Sequence, residues 1–210
     1  MLKILSLDLD GTIFPNNIDD KLWFELIPRE ISKAKGISID AAISFAKTEY
    51  NRLTPYDPRW YIPEYWLERF MLNIDLNSLL NEMEYDKYIY QDLNSINYGL
   101  KVIVSTTNAR SVLYKKLDAI KKIIPIDASF SVVSDLNIVN KNRRFYEHIC
   151  NVLNVKPYEI MHIGDNIIYD LLYARSCGLR SILIDRGKSM EGYDVIHTFD
   201  KLAEYIRNNS

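Results

Sequence analysis

The chain opens with a short apolar run, residues 2–7, that stops at a polar turn and predicts a buried parallel strand. From about Asp19 to Gly99 the apolar positions take helical spacing instead. Ile39, Ala42, Ile43, Ala46, Tyr50 and Leu53 recur every three or four residues after an N-cap candidate at Ser38. Leu67, Phe70 and Met71 follow the same rule, as do Leu76, Leu79, Leu80 and Met83. An aromatic loop fixed by two prolines, Thr54-Pro55-Tyr56-Asp57-Pro58-Arg59-Trp60, interrupts these helices.

After Gly99 strand and helix patterns alternate. Strands are expected over 100–104, 129–133, 159–163 and 180–184, and helices over 109–122, 143–153, 168–177 and near 201–207. Gly178 stands where a helix would end. Strands separated by helices of this length imply right-handed crossovers and an α/β core with a doubly wound, Rossmann-like parallel sheet. The helical stretch between the first two strands does not belong to such a sheet, and it is expected as a small all-α cap domain inserted after the first strand. The expected division is a core of residues 1–15 and 96–210 and a cap of residues 16–95.

Composition narrows the function classes. A net charge of −2 shows no footprint for nucleic acid, and no apolar run reaches membrane-span length. The N-terminal residues run straight into a strand pattern broken by Asp8, unlike a signal peptide. Two cysteines, Cys150 and Cys177, fit neither a disulfide framework nor a CxxC metal site. A cytoplasmic protein is the expectation.

Chemistry concentrates at the predicted strand ends. Asp8-Leu9-Asp10-Gly11-Thr12 follows the first strand, Ser105 ends the apolar run 102–104, and Gly164-Asp165 with Asp170 follows the fourth. In an open parallel sheet, ligands bind at the carboxyl ends of the strands. A lone aspartate there would be read as a turn former or N-cap. Several converging carboxylates beside a hydroxyl are costly to assemble unless a cation and an anionic substrate complete them.

These runs, in this order, resemble the motifs of the haloacid dehalogenase-like superfamily. Asp8-Leu9-Asp10-Gly11-Thr12 is similar to its first motif, DxDGT, and Val102-Ile103-Val104-Ser105 to its second. Gly164-Asp165 with Asp170 is similar to the acidic fourth motif, GDxxxxD. Lys141 stands in the place of the third-motif lysine, although Asn142 follows it where relatives commonly have proline.

The resemblance implies a Mg2+-dependent phosphatase. Asp8 would be the nucleophile that forms an aspartyl-phosphate, and Asp10 would move protons to the leaving group and from water. Dehalogenating members carry an aromatic residue in place of that second aspartate, so Asp10 points to phosphoryl transfer. Ser105 would donate to a phosphoryl oxygen, and Lys141 would hold Asp8 and the phosphate together. Thr106 and Thr107 leave a one-residue ambiguity about which hydroxyl does so. Gly11, Thr12, Thr106 and Asn108 would add phosphate contacts. The metal would rest on Asp8, the Asp10 carbonyl and Asp165, with Asp170 as an outer partner.

Arg52 and Arg59, in or beside the aromatic loop, are candidates for gripping a distal anionic group, and Trp60 and Trp66 either stack on substrate or seal the cap's core. His162, inside an apolar strand, reads as a core histidine. The expected substrate is a small phosphorylated metabolite: a nucleotide, phosphoglycolate or a sugar phosphate. A phosphomutase, or a catalytically silent binding relative, would share these motifs.

Overall fold

The computed structural model describes residues 1–96 and 99–208. Asn97 and Tyr98, which adjoin the expected domain boundary, lie outside the described residues, as do Asn209 and Ser210.

Six parallel strands form one sheet in the order β3-β2-β1-β4-β5-β6. They are β1 (Ile4–Leu7), β2 (Lys101–Thr106), β3 (Ala128–Ser131), β4 (Ile160–Gly164), β5 (Arg180–Ile184) and β6 (Val195–Ile196). The strand order reverses at β1, between β2 and β4, which is the switch point where such sheets open a crevice for ligands. The doubly wound parallel core expected from the alternating pattern is therefore present. Between β1 and β2 run a π-helical turn, Leu22–Leu26, and helices α1 (Ile27–Lys35), α2 (Ile39–Tyr50), α3 (Pro63–Arg69) and α4 (Leu76–Asn81). The helices interleaved with the later strands are α5 (Arg110–Ile120), α6 (Val132–Leu136), α7 (Arg143–Leu153), α8 (Tyr173–Ser176) and α9 (Leu202–Asn208).

Local chemistry explains the boundaries. Ser38 caps α2 by accepting from the Ala41 N–H, and α1 ends where Gly36 takes the left-handed conformation at φ 65°. Asn142 caps α7 by accepting from the Phe145 N–H. The asparagine that replaces the usual proline after Lys141 thus starts the same helix by another device. Residues 132–133, expected to continue a strand, instead begin α6, because the Ser131 hydroxyl caps it by accepting from the Ser134 N–H.

Strand alternation divides the core between the two faces of the sheet. Leu5, Leu7, Val102, Val104, Met161 and Ile163 join one apolar cluster with Leu113 and Leu117 of α5 and with the helices of the inserted segment. Ile4, Ile103 and Ile160 join the other, under Phe145, Tyr146 and Ile149 of α7. Further along the strands, that second face carries Ser6, Ser105 and His162, all buried, and it is the face from which the Asp8 side chain emerges. In the inserted segment Trp66 is fully buried against Tyr50 and Phe70, with its indole N–H on the Trp60 carbonyl at 3.1 Å.

Candidate active site

A cavity of about 350 Å³ opens at the carboxyl ends of β1, β2 and β4, beneath the helical segment. Asp8, Asp10, Thr106, Thr107, Asn108, Lys141, Asp165 and Asp170 line it from the sheet, and Trp23, Trp60, Tyr61 and Tyr169 supply aromatic walls. The first-motif turn is closed by Gly11, whose N–H donates to the Phe14 carbonyl at 2.7 Å with φ at 75°. A Cβ there would collide with the Asp165 carboxylate, and one at Gly164 with that of Asp170. Both glycines let backbone and carboxylate approach closely.

Lys141 joins the two ends of the acidic cluster. Its ammonium donates to Asp8 Oδ1 at 2.5 Å and to Asp170 Oδ1 at 2.7 Å, and all three side chains are buried. Asp170 also meets His162 Nε2 at 3.0 Å and accepts from the Asn166 N–H. Ser6 links the other ring nitrogen, Nδ1, to Ser105. Asp165 accepts from the Asn16 amide at 3.0 Å. Carboxylate oxygens of Asp8, Asp165 and Asp170 lie within 4.8 Å of one another. An all-oxygen, anionic donor set of this size fits a hard divalent cation.

Burial pushes Asp8 up to about 8, with Asp170 and Asp165 adding to the rise and Lys141 opposing it. Asp165 is likewise raised, mainly by burial. Burial would raise Asp170 too, but Lys141 and His162 together outweigh it and hold this carboxyl below the usual range. Desolvation lowers the buried His162, favouring the neutral ring.

A second cation, absent from the sequence-based site, holds the other aspartate. Lys116 of α5 is completely buried, and its ammonium reaches Asp10 Oδ1 at 2.5 Å, Asn108 Oδ1 at 2.7 Å and Asp19 Oδ2 at 2.8 Å. The Asn108 amide donates in turn to Asp10 Oδ2 at 2.7 Å, and the Tyr85 hydroxyl donates to Asp19 Oδ1 at 2.8 Å. Burial alone would lower the Lys116 ammonium, but Asp10 and Asp19 more than compensate and raise it. Lys116 sits three residues after Leu113 on the buried side of an amphipathic helix, and that lysine at an apolar position was the available signal.

The structure brings Asp8, Asp10, Thr106, Asn108, Lys141, Asp165 and Asp170 together, with Gly11 in the turn beneath them. Thr12 is buried, with no hydrogen-bond partner for its hydroxyl among the described residues. Three expected residues lie elsewhere. Ser105 is fully buried below the cavity, its hydroxyl spent on Ser6 at 2.8 Å. β2 does not stop at Val104 but runs through Thr106, which pairs with Ser131, so the hydroxyls at the strand end are Thr106 and Thr107. The Thr106 hydroxyl accepts from the Asn108 N–H, which leaves Thr107 facing the cavity. Arg52 turns outward to Glu49, and Arg59 pairs with Asp57, so neither lines this cavity. Of the two tryptophans, Trp66 belongs to the core of the helical segment and Trp60 to the cavity wall.

An open α/β sheet with a carboxylate-and-lysine cluster at its switch point defines a hydrolase-type site. Residues 2–178 match the family model for haloacid dehalogenase-like hydrolases, and the chain belongs to that family. It is 26% identical over 110 residues to the phospholysine phosphohistidine inorganic pyrophosphate phosphatase of Danio rerio, covering 49% of this chain and 41% of that protein. A GMP/IMP nucleotidase of Escherichia coli is 27% identical over 77 residues, covering 37% of this chain and 33% of the nucleotidase. These matches span less than half of the curated relatives. Among solved structures, a haloacid dehalogenase-like phosphatase from Thermococcus onnurineus superposes with a TM-score of 0.78 at 22% identity, covering 98% of each chain.

Proposed function

We propose that this chain is a Mg2+-dependent phosphatase that hydrolyses a small phosphorylated metabolite by way of a phosphorylated Asp8. The observation that carries this reading is the placement of two different carboxylates in one cavity. Asp8 lies in the cluster with Lys141, Asp165 and Asp170, while Asp10 sits outside it on its own lysine. The first would attack and the second would move protons. When bound among Asp8, Asp165 and Asp170, Mg2+ would offset the repulsion between a carboxylate nucleophile and phosphoryl oxygens.

An Asp8 oxygen bonds to phosphorus as the ester P–O bond breaks, and the leaving oxygen takes a proton from Asp10. Asp10 then removes a proton from a water whose oxygen bonds to phosphorus as the Asp8–phosphorus link breaks. Inorganic phosphate leaves, and both aspartates return to their starting states. Lys141 holds Asp8 toward the phosphoryl group, and Thr107 with the N–H groups after β2 supplies donors to its oxygens. We read residues 16–95 as a cap over the core of residues 1–15 and 96–210, excluding water during transfer.

The aromatic walls, Trp23, Trp60, Tyr61 and Tyr169, suit a ring-bearing leaving group such as a nucleoside, with phosphoglycolate and sugar phosphates as further members of the class. The activities of the two curated relatives, a phosphatase and a nucleotidase, support a small phosphorylated substrate. Two unpaired cysteines are consistent with a cytoplasmic location, and among the described residues no helix is long and apolar enough to cross a membrane.

A panel of metabolite phosphates and one aryl phosphate, assayed with and without Mg2+, tests the reading. Phosphate release that needs Mg2+ and is abolished by Asp8→Asn or Asp10→Asn is the expected result. Full activity in Asp8→Asn removes the nucleophile assignment, and isomerised product without phosphate release makes the protein a mutase.

A further inference from the structure

Beside the acidic cluster lies a second network, which runs from the cavity to the base of the helical segment. We propose that Lys116 is the positioning residue for Asp10, fixing the proton-transferring carboxylate at the mouth of the cavity and tying it to the helical segment through Asp19 and Tyr85. The proposal rests on the reading of Asp10 as the proton donor to the leaving group.

Lys116 has three donors, and three acceptors take them: one oxygen each from Asp10, Asn108 and Asp19. No donor remains for a phosphoryl oxygen, and the ammonium lies behind the cavity rather than on its wall. Lys116 therefore acts through its partners. Its contact with Asn108 Oδ1 settles which way that amide faces, so Nδ2 is turned to Asp10 Oδ2. Both oxygens of Asp10 are thus held by one lysine, directly at Oδ1 and by way of Asn108 at Oδ2.

The same ammonium bridges to Asp19, the residue through which the chain enters the helical segment. The other oxygen of Asp19 is held by Tyr85, at the far end of that segment. The rings of Phe14 and Tyr85 flank the ammonium at 5.7 and 5.4 Å from their centroids. A point charge enclosed in this way cannot exchange partners with water, so Asp10 keeps one orientation. Without the lysine, Asp10 and Asp19 become two carboxylates with no cation between them, and Asp10 swings away.

A general acid matters most when the leaving oxygen is a poor one. The test compares kcat/KM for 4-nitrophenyl phosphate, which departs without a proton, with that for an alkyl phosphate, which needs one. This ratio reports only steps up to departure of the leaving group, so later hydrolysis of the phosphorylated enzyme does not enter it. With the full chain at saturating Mg2+, Lys116→Met is expected to lower kcat/KM about 100-fold for the alkyl ester and less than about 10-fold for the nitrophenyl ester, in line with the typical worth of a general acid. Lys116→Gln, which keeps two of the three donors but no charge, gives the same preference at smaller size, and Lys116→Arg restores part of the alkyl-ester rate.

Equal losses on both esters, or no loss on either, overturn the proposal. So does failure of both neutral variants to fold, which would make the lysine a structural element. Wild-type protein that releases phosphate from neither ester would instead overturn the phosphatase reading, a result separable from those above.

Discussion

The clearest consequence of the Asp8 environment is that metal binding must expel a proton. Burial and the neighbouring Asp170 and Asp165 push the Asp8 carboxyl up to about 8 in the metal-free site. Mg2+ requires the ionised carboxylate, so at pH 6 only about one Asp8 in 100 is ready to bind, against about half at pH 8. The sign is fixed by the direction of the shift. A carboxyl raised above its ordinary value holds its proton through the neutral range, so affinity climbs as pH rises toward 8 and levels off beyond it. The apparent Kd for Mg2+ should therefore fall at least tenfold between pH 6 and pH 8. Titration calorimetry at pH 6, 7 and 8 measures this directly. Repeating each titration in two buffers of different ionisation enthalpy counts the protons released, with about one expected at pH 6 and about half of one at pH 8. Asp8→Asn should flatten the profile. An affinity that is constant from pH 6 to 8, with no proton released, would refute the assignment of Asp8 as a ligand held protonated by burial.

Four further outcomes follow from the geometry. Ser105→Ala removes one neutral buried hydrogen bond to Ser6, so denaturant melts should show a loss of about 1 kcal/mol with phosphatase turnover within a few-fold of wild type. Thr107→Val should leave the melt unchanged and lower kcat about 100-fold, the typical worth of one transition-state donor. Lys141→Met leaves the ionised Asp170 buried without its cation, so a loss of about 3–5 kcal/mol is expected in the absence of metal, with part of it recovered on adding Mg2+. Trp66→Ala opens a cavity in the helical segment, with an expected cost of about 3–5 kcal/mol in urea unfolding.

Much of this architecture was legible because it is local. The helix pattern after Ser38 and the run from Arg143 to Leu153 appear as expected, and β5 begins at Arg180 as its apolar run does. Asp8, Asp10, Asp165 and Asp170 were readable because each closely follows a strand, and parallel topology carries strand ends to one edge. Where the structure departs from the expectation, the causes differ from residue to residue. Ser105 was chosen because it ends an apolar run, but a strand ends where its ladder ends, and β2 keeps pairing with β3 through Thr106. The run of Ser and Thr is a poor marker of that point because these residues pair in a sheet as readily as they form a turn.

Arg52 and Arg59 were chosen because arginines near a cap loop suit anions. Glu49 and Asp57, each within three residues, had prior claim on them. Lys116 escaped notice for the opposite reason: its carboxylate partners lie 97 and 106 residues away, and nothing in its own neighbourhood announces them. What local pattern could not reveal was how differently the two aspartates of the first motif are held. Asp8 and Asp10 are two residues apart and chemically alike, yet each has a different lysine. Asp8 shares Lys141 with Asp170 in the cluster fit for a metal, and Asp10 shares Lys116 with Asp19 at the entry to the helical segment. Two cations brought from distant parts of the chain give one short run of sequence two separate chemical environments. In the proposed mechanism, where one carboxylate attacks and the other carries a proton, that separation is what the chemistry needs.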